Sequence, residues 1–263
     1  MGRLFDGMKQ ASTHRSLERG LAILEAVAAS QGPASLAETA RRLGLHRSTA
    51  HHLMQTLVGA GYLRQEKATR GYELTPKLYR LTGRLWGPEQ LRDLAQPHLE
   101  ELMRATGEGT SFAAWLDGSV IVVAKREAEA PVRVVQDVGG RRPLYCTAVG
   151  KAIAAWLPPV EMRAALGRAR MQRLTAKTIT TQSAFEAELR RIRAAGYAID
   201  DEEQFEGLRC IAMPVFCYTG GVLGAMCVLG PKHRMTQQKL LAVRVPLGEL
   251  ARKLSERLGY VHA

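Results

Sequence analysis

The spacing of apolar residues over positions 35–64 predicts two short amphipathic helices joined by a tight turn. The apolar positions of the first helix recur at i, i+4 and i+7: Leu36, Ala40 and Leu43. Ser35 and Glu38 match a capping box, in which the hydroxyl and the carboxylate each bind a free backbone N–H at a helix start, with about 1 kcal/mol of stabilisation. Gly44 can adopt the left-handed conformation that ends a helix, so it marks the turn between the two helices.

The second helix of this pair separates an apolar face from a polar one. Its apolar face comprises Ala50, Leu53, Met54, Leu57 and Val58. At about 100° per residue, the opposite face carries Ser48, His52 and Gln55, flanked by Arg47, Thr49 and His51. This face has hydrogen-bonding side chains and no carboxylate, as a helix entering the major groove of DNA requires. The alternative is a helical hairpin with a solvated outer face, although surface helices usually mix in Glu and Lys.

The flanking segments predict a winged helix-turn-helix. A preceding helix begins at Ser16 and has one apolar face: Leu17, Gly20, Leu21, Leu24, Val27 and Ala28. After the pair, residues 62–65 and 71–74 are predicted as two short strands around a polar tip. In a winged arrangement, Lys67 and Arg70 of that tip would lie against DNA phosphates, which position a protein without specifying sequence. For these two side chains a solvated turn is the alternative.

Beyond residue 80 the pattern mixes helices and strands. A helix starts at Thr75-Pro76, and another runs from about Glu89 to Ala105 after an interruption at Gly87-Pro88. The predicted strands are 111–116 and 119–126, which turn at Asp117-Gly118, then 132–138, 208–217 and 221–229. The predicted helices start near Thr147 and otherwise cover 159–166, 183–195 and 236–258. This succession indicates an α+β domain with an antiparallel sheet.

The last predicted hairpin has a definite register if it turns through Thr219-Gly220. Cys210 then faces Leu229 and Ala212 faces Cys227, so that all four share one face of the sheet. The four acids 200–203, which precede this hairpin, are expected to form a solvated loop.

Two motifs that suggest other chemistry are disfavoured. His51 and His52 could bind a metal, but adjacent helical side chains point about 100° apart and no third ligand is near in sequence. Gly150-Lys151 resembles the end of a P-loop, but Tyr145 stands where the earlier glycine is required and no Ser or Thr follows the lysine. The helix start near Thr147 could instead bind a carboxylate through free N–H groups, with ordinary helix packing as the alternative. We therefore expect no metal, nucleotide or other cofactor.

Charge and composition support a nucleic-acid partner. Of the net charge of +12, residues 1–80 contribute +6, from 12 Lys and Arg against 6 Asp and Glu. No run approaches the ~18 apolar residues that span a bilayer, and the N-terminus does not resemble a signal peptide. The four cysteines form no C-x-x-C pair, which favours reduced thiols in the cytoplasm. A basic amino-terminal third without a Lys-rich amphipathic helix favours DNA over a membrane.

Several segments in order resemble the IclR family of bacterial transcriptional regulators: Ser16–Leu24, Gly44–Ala50, Thr147–Ala152, Asp200–Glu203 and Gly207–Val215. The resemblance covers about residues 15–258 and implies an N-terminal winged helix-turn-helix and a C-terminal GAF-like effector domain. It also implies a homodimer or dimer of dimers, a palindromic operator in double-stranded DNA, and control of catabolic genes by a small organic-acid effector.

The same resemblance implies where the effector lies. The corresponding residues here are Leu144, Ala148, Val149, Asp200, Leu208, Cys210, Cys227 and Leu229. Some family members that bind very small keto acids have two serines where this chain has Cys227 and Leu229. The less polar lining favours a larger, aromatic carboxylate.

The sequence thus predicts a flexible tail over 1–14, a winged helix-turn-helix domain over 15–78, a linker helix over 79–90 and an effector domain over 91–263. A ligand-responsive, non-enzymatic regulator is the first hypothesis. An enzyme with Cys210 or Cys146 as nucleophile is the alternative, and it lacks a histidine in a recognisable motif. A nucleic-acid binder without a ligand would leave the separate second domain unexplained.

Overall fold

A computed structural model describes residues 14–78, 87–168 and 171–261. The chain divides into two compact units, Met1–Leu85 and Trp86–Ala263. Nearly all of the predicted tail and most of the predicted linker helix therefore lie outside the described residues.

The part of the first unit that the structure describes includes three full helices and a two-stranded hairpin. These are α1 (Arg15–Ala28), α2 (Leu36–Arg42), α3 (Arg47–Gly59), β1 (Leu63–Gln65) and β2 (Tyr72–Leu74). The strands pair antiparallel with Leu63 opposite Leu74. Ile23 of α1, Met54 of α3 and Tyr72 of β2 meet in one apolar core. The winged helix-turn-helix prediction is confirmed.

The turn between α2 and α3 forms as the sequence predicts. The Ser35 hydroxyl accepts a hydrogen bond of 3.1 Å from the backbone N–H of Glu38 at the start of α2. Gly44 has φ +62°, a left-handed conformation in which glycine is favoured. The Leu45 N–H then donates to the Ala40 carbonyl at 2.9 Å, which closes the helix end. These bonds fix the direction in which α3 leaves the turn.

The predicted buried face of α1 is wrong in part. Leu17 and Leu21 are 64% and 52% exposed, whereas Ile23 and Val27 are buried. Apolar residues cover more than half of the circumference of α1. The small apolar core of the first unit buries only one stripe of these residues. A Cβ at Gly20 would meet no atom of the described residues within 4 Å, so this glycine marks no close crossing with a helix of that part of the chain.

The second unit is a six-stranded antiparallel sheet with helices on both faces. Its helices are α4 (Pro88–Thr106), α5 (Ala148–Ala154), α6 (Pro159–Arg168), α7 (Gln182–Ala195) and α8 (Gln237–Arg257). Its strands are β3 (Gly109–Leu116), β4 (Ser119–Arg126), β5 (Arg141–Arg142), β6 (Ala198–Asp201), β7 (Leu208–Phe216) and β8 (Val222–Pro231), in the order β5-β4-β3-β8-β7-β6. Helices α4 and α8 pack on one face, and α5 and α7 enclose the other.

The register of the last hairpin is confirmed, whereas two other predictions for this unit are wrong. Cys210 is opposite Leu229 and Ala212 is opposite Cys227. Residues 132–138 form no strand, because the edge of β4 pairs with the chain only from residue 139 onward. The acidic run 200–203 is not a solvated loop either, since it enters β6 and buries its first and last members.

No helix within the described ranges combines the length and the apolar character that crossing a bilayer would need.

Candidate functional site

The polar face of α3 is open to solvent in its own unit. Exposed side chains on it are Arg47, Ser48, His51, His52 and Gln55, and Thr49 is half-buried. The apolar face holds the helix against the core through Ala50 and Met54, both 0% exposed. Packing on one side and an acid-free polar surface on the other give α3 the properties of a helix that enters the major groove.

Gln55 is oriented by a buried side chain. Its Nε2 donates a hydrogen bond of 3.2 Å to the hydroxyl of Tyr72. Tyr72 is 1% exposed, so this hydroxyl is a fixed acceptor behind the polar face. The bond leaves one N–H and the amide oxygen of Gln55 for other partners, and a bidentate contact with adenine needs one donor and one acceptor.

The hairpin tip carries two exposed cations. Lys67 and Arg70 are exposed, and neither forms an ion pair with a carboxylate of the described residues. Arg70 has φ +58°, and Gln65 Nε2 donates to its carbonyl at 2.9 Å, which fixes the backbone of the tip. Arg64, in contrast, is paired with Glu73 at 2.7 Å. The tip therefore presents positive charge on an ordered turn, as contacts with phosphates require.

In the second unit, the predicted ligand residues share the sheet face that α5 and α7 enclose. Seven of them belong to one buried cluster: Leu144, Ala148, Val149, Leu208, Cys210, Cys227 and Leu229. Asp200 is 1% exposed and lies opposite Cys210 on the neighbouring strand. The structure thus brings together all eight predicted effector residues, which come from three strands, one helix and the segment before that helix.

The side chain of Asp200 is a buried carboxyl whose charge is disfavoured. Burial raises its pKa to about 7, although the backbone N–H of Glu203 donates to it at 2.7 Å and favours the ionised form. At neutral pH, part of the population therefore carries a proton on Asp200. A neutral carboxyl can donate a hydrogen bond and does not repel an anion.

This pKa predicts a pH-dependent stability. The native state holds a proton on Asp200 up to about pH 7, whereas the unfolded chain releases it near pH 3.8. The contribution of Asp200 to the free energy of unfolding is therefore fully present below pH 3.8 and falls as the pH rises through that interval. Asp200→Asn should remove this decline, as denaturant titrations from pH 4 to about pH 8 would measure. If the free energy of unfolding falls equally with rising pH in the two proteins, the assignment is contradicted.

Sequence reasoning missed an ionic network beside Asp200. Lys151, 1% exposed, binds Glu203 and lies 3.3 Å from Glu188. Burial raises the pKa of Glu203 while Lys151 opposes that shift. The available signal was Lys151 itself, a single cation inside the otherwise apolar run 148–155. Such a lysine needs a buried counter-charge, and the acidic run supplies it.

Two cysteines of this face, Cys146 and Cys210, are held as protonated thiols. Burial raises the pKa of Cys146 to about 12. A hydrogen bond with Cys227 and burial also raise the pKa of Cys210. Because thiolates are the nucleophilic form, these thiols do not suit catalysis at neutral pH. No three His, Cys, Asp or Glu side chains of the described chain lie together as metal ligands would.

A winged helix-turn-helix joined to a separate α+β unit defines a class of DNA-binding transcriptional regulators. Two family descriptions match the sequence: "Bacterial transcriptional regulator IclR C-terminal" over residues 87–256 and "IclR helix-turn-helix domain" over residues 16–67. The chain belongs to the IclR family of bacterial transcriptional regulators.

Individual relatives are similar in sequence to this protein along nearly the whole chain. The HTH-type transcriptional regulator KdgR of Escherichia coli is 33% identical over 96% of this chain and 95% of its own length. The regulator BhcR of Paracoccus denitrificans is 32% identical over 95% of this chain and 89% of its own. The crystal structure of the Thermotoga maritima IclR superposes with a TM-score of 0.63 at 28% identity, covering 94% of this chain and 99% of that one. These relatives are transcription regulators and not enzymes, in agreement with the non-enzymatic function predicted from the sequence.

Proposed function

We propose that this protein is a ligand-responsive regulator that binds a palindromic operator and controls catabolic genes in the cytoplasm. The observation that carries the proposal is the acid-free, solvent-open face of α3 in a unit that also presents exposed cations at its hairpin tip. Ser48, His51, His52 and Gln55 supply base contacts, with Arg47 and Thr49 beside them, and Lys67 and Arg70 supply phosphate contacts. A homodimer or dimer of dimers would place two such faces on the two half-sites.

The second unit provides the response to a ligand. Its enclosed sheet face combines apolar side chains and thiols with the carboxyl of Asp200, which suits a small organic acid with an apolar, aromatic body. A ligand that binds the DNA-competent and DNA-incompetent states unequally, by about 1–3 kcal/mol, changes operator affinity about 5- to 150-fold. A direct test is fluorescence anisotropy with the promoter DNA beside the gene. Absence of salt-dependent, sequence-selective binding there and to genomic fragments would refute the proposal.

The two kinds of DNA contact predict different mutant behaviour. Gln55→Ala should weaken binding to the operator and leave binding to random DNA unchanged, because it removes a base contact. Arg70→Ala should weaken binding to both and reduce the salt slope by about one, because it removes one phosphate contact. Titrations of operator and random duplexes at several salt concentrations measure both effects.

Tyr72→Phe is the matched control for Gln55→Ala. It removes the hydroxyl that Gln55 binds but no group that faces solvent on α3. A smaller loss of operator affinity than Gln55→Ala causes is the expected result, because the amide of Gln55 remains on α3 and loses only the partner that orients it. If Tyr72→Phe weakens operator binding as much as Gln55→Ala does, or if Gln55→Ala and Arg70→Ala affect both duplexes equally, the assigned roles are incorrect.

A further inference from the structure

An open cleft lies beside the enclosed sheet face of the second unit. Its volume is about 300 Å³, and its lining includes Trp115, Arg141, Arg142, Leu144 and Ala165. This volume is at the lower end of the range of about 300–1,000 Å³ that is typical of small-molecule sites. Leu144 belongs both to this lining and to the buried cluster of predicted ligand residues. The cleft therefore adjoins the site proposed above, and Leu144 lies between the two.

Arg142 differs from the other inward-facing cations of this unit. Its Nε atom is buried, yet it has no hydrogen-bond partner among the described residues. Within the same described residues it forms no ion pair, whereas Lys151 binds Glu188 and Glu203, and Arg234 binds Glu108. A guanidinium cannot lose its charge in a protein, and a buried donor without a partner is costly. The partner that this donor requires is therefore an anion or another strong acceptor from outside the described chain.

Strand pairing places Arg142 on the ligand-facing side of the sheet. Arg142 of β5 lies directly opposite Val120 of β4, and directly opposite residues of an antiparallel pair share a face. Val120 belongs to the same buried cluster as Cys210 and Leu144. The positive charge of Arg142 also acts on Cys210. The hydrogen bond with Cys227 and burial raise the pKa of the Cys210 thiol, whereas the Arg142 guanidinium lowers it.

We propose that Arg142 is the anchor for the ligand's carboxylate, held where the open cleft meets the enclosed face; this inference rests on the proposed function. A carboxylate fits the planar fork of a guanidinium through two parallel hydrogen bonds, a geometry that a lysine ammonium does not offer. With its anion on Arg142, the apolar body of the ligand extends past Leu144 toward the thiols. The ligand class is therefore a carboxylic acid whose anion is essential for recognition.

The test compares benzoate with benzamide, which has the same shape and no charge. Isothermal titration of the full-length protein should show saturable binding of benzoate and at least ten-fold weaker binding of benzamide. Arg142→Gln should weaken benzoate binding by about 10- to 100-fold, and Arg142→Lys should give an intermediate loss. Arg190→Gln, an equal change of charge on the exposed face of α7, should leave the affinity unchanged. Equal affinity of the protein and its Arg142→Gln variant for benzoate overturns the inference, as does a complete absence of benzoate binding.

A second measurement uses the protein without substitution, so it does not depend on the folding of a variant. In a spectrum of protein labelled with ¹⁵N-arginine, the Nε–H resonance of Arg142 should shift in a saturable manner with benzoate and not with benzamide. A resonance that stays fixed while benzoate binds would show that the anion lies elsewhere.

Operator anisotropy in the presence of benzoate separates this inference from the proposed function. If benzoate binds through Arg142 without any effect on DNA affinity, the carboxylate anchor is supported and the ligand response is refuted. If benzoate changes DNA affinity equally in the unaltered protein and in Arg142→Gln, the ligand response is supported and the anchor is refuted.

Discussion

Lys151→Met is expected to lower the free energy of unfolding of the second unit by about 3–5 kcal/mol. Lys151 is 1% exposed and is the cation that faces the Glu203 and Glu188 carboxylates. Methionine preserves most of the side-chain volume but leaves Glu203 as a buried carboxylate without its counter-ion. One oxygen of Glu203 already lacks a hydrogen-bond partner within the described chain, so the surroundings have no spare donor for it. Thermal and denaturant unfolding measure the loss.

Lys177→Met is the matched control for this substitution. Lys177 also pairs with two carboxylates, Asp201 at 2.8 Å and Glu202 at 3.0 Å, but its side chain is 46% exposed. The carboxylates that this variant leaves behind each keep a second cation, Arg209 for Asp201 and Lys232 for Glu202, so the unfolding transition should move far less. The double variant Lys151→Met with Glu203→Met should recover most of the lost stability, since Glu188 retains its bond to Arg191.

The loss caused by Lys151→Met should also depend on pH. Without the ammonium, the pKa of Glu203 rises further, and the native state then binds a proton that the unfolded chain releases at lower pH. The destabilisation should therefore be smaller at about pH 5 than at about pH 8. A loss of equal size at both pH values, or no recovery in the double variant, would show that packing and not charge explains the effect.

Gly150→Ala is expected to destabilise the second unit by about 3 kcal/mol or more, at the upper end of the effects of overpacking. A Cβ at position 150 would lie within 3.0 Å of the Pro143 carbonyl oxygen, the Leu144 Cα and the Thr147 Oγ1. Two of these are backbone atoms, which cannot move without shifting the start of α5. The Thr147 hydroxyl also accepts the Gly150 N–H at 3.0 Å, so the same methyl group disturbs the helix cap.

Gly167→Ala, in helix α6, is the corresponding control. A Cβ at Gly167 meets no atom of the residues that the structure describes within 4 Å, so the substitution should be neutral or stabilise by up to about 1 kcal/mol through helix propensity. Urea unfolding of both variants, monitored by circular dichroism, provides the comparison. Similar midpoints for the two alanine variants would show that the segment before α5 adapts to a methyl group at little cost.

The pattern of apolar residues was sufficient to predict elements whose geometry depends on residues close together in the sequence. The register of β7 and β8 follows from the turn between them and the two-residue period of a strand, and Cys210 faces Leu229 as predicted. The end of α2 at Gly44 follows from one left-handed residue and the bonds around it. In both cases, the residues that determine the structure are close neighbours in the sequence.

Features that depend on distant partners were not predictable in this way. Residues 132–138 have strand-like composition, but a strand also needs a free edge, and β4 pairs instead with the glycines and arginines that follow. Lys151 and Glu203 are 52 residues apart, so neither residue alone indicates the ion pair. The role inferred for Arg142 likewise depends on the burial of its Nε atom and on the neighbours around it, which only the folded structure reveals.

The pairing of β3 with β8 has a consequence for synthesis on the ribosome. These strands are neighbours at the centre of the sheet, yet Gly109 and its partner Leu229 are 120 positions apart in the chain. The hairpin of β3 and β4 therefore leaves the exit tunnel with the second edge of β3 unpaired. This edge can pair with β8 only after most of the remaining chain has been synthesised. The winged unit, whose contacts are local, completes its fold first. Nascent chains of this regulator thus pass through a stage with a finished amino-terminal domain and an unpaired strand edge, the stage at which chaperones would be needed most.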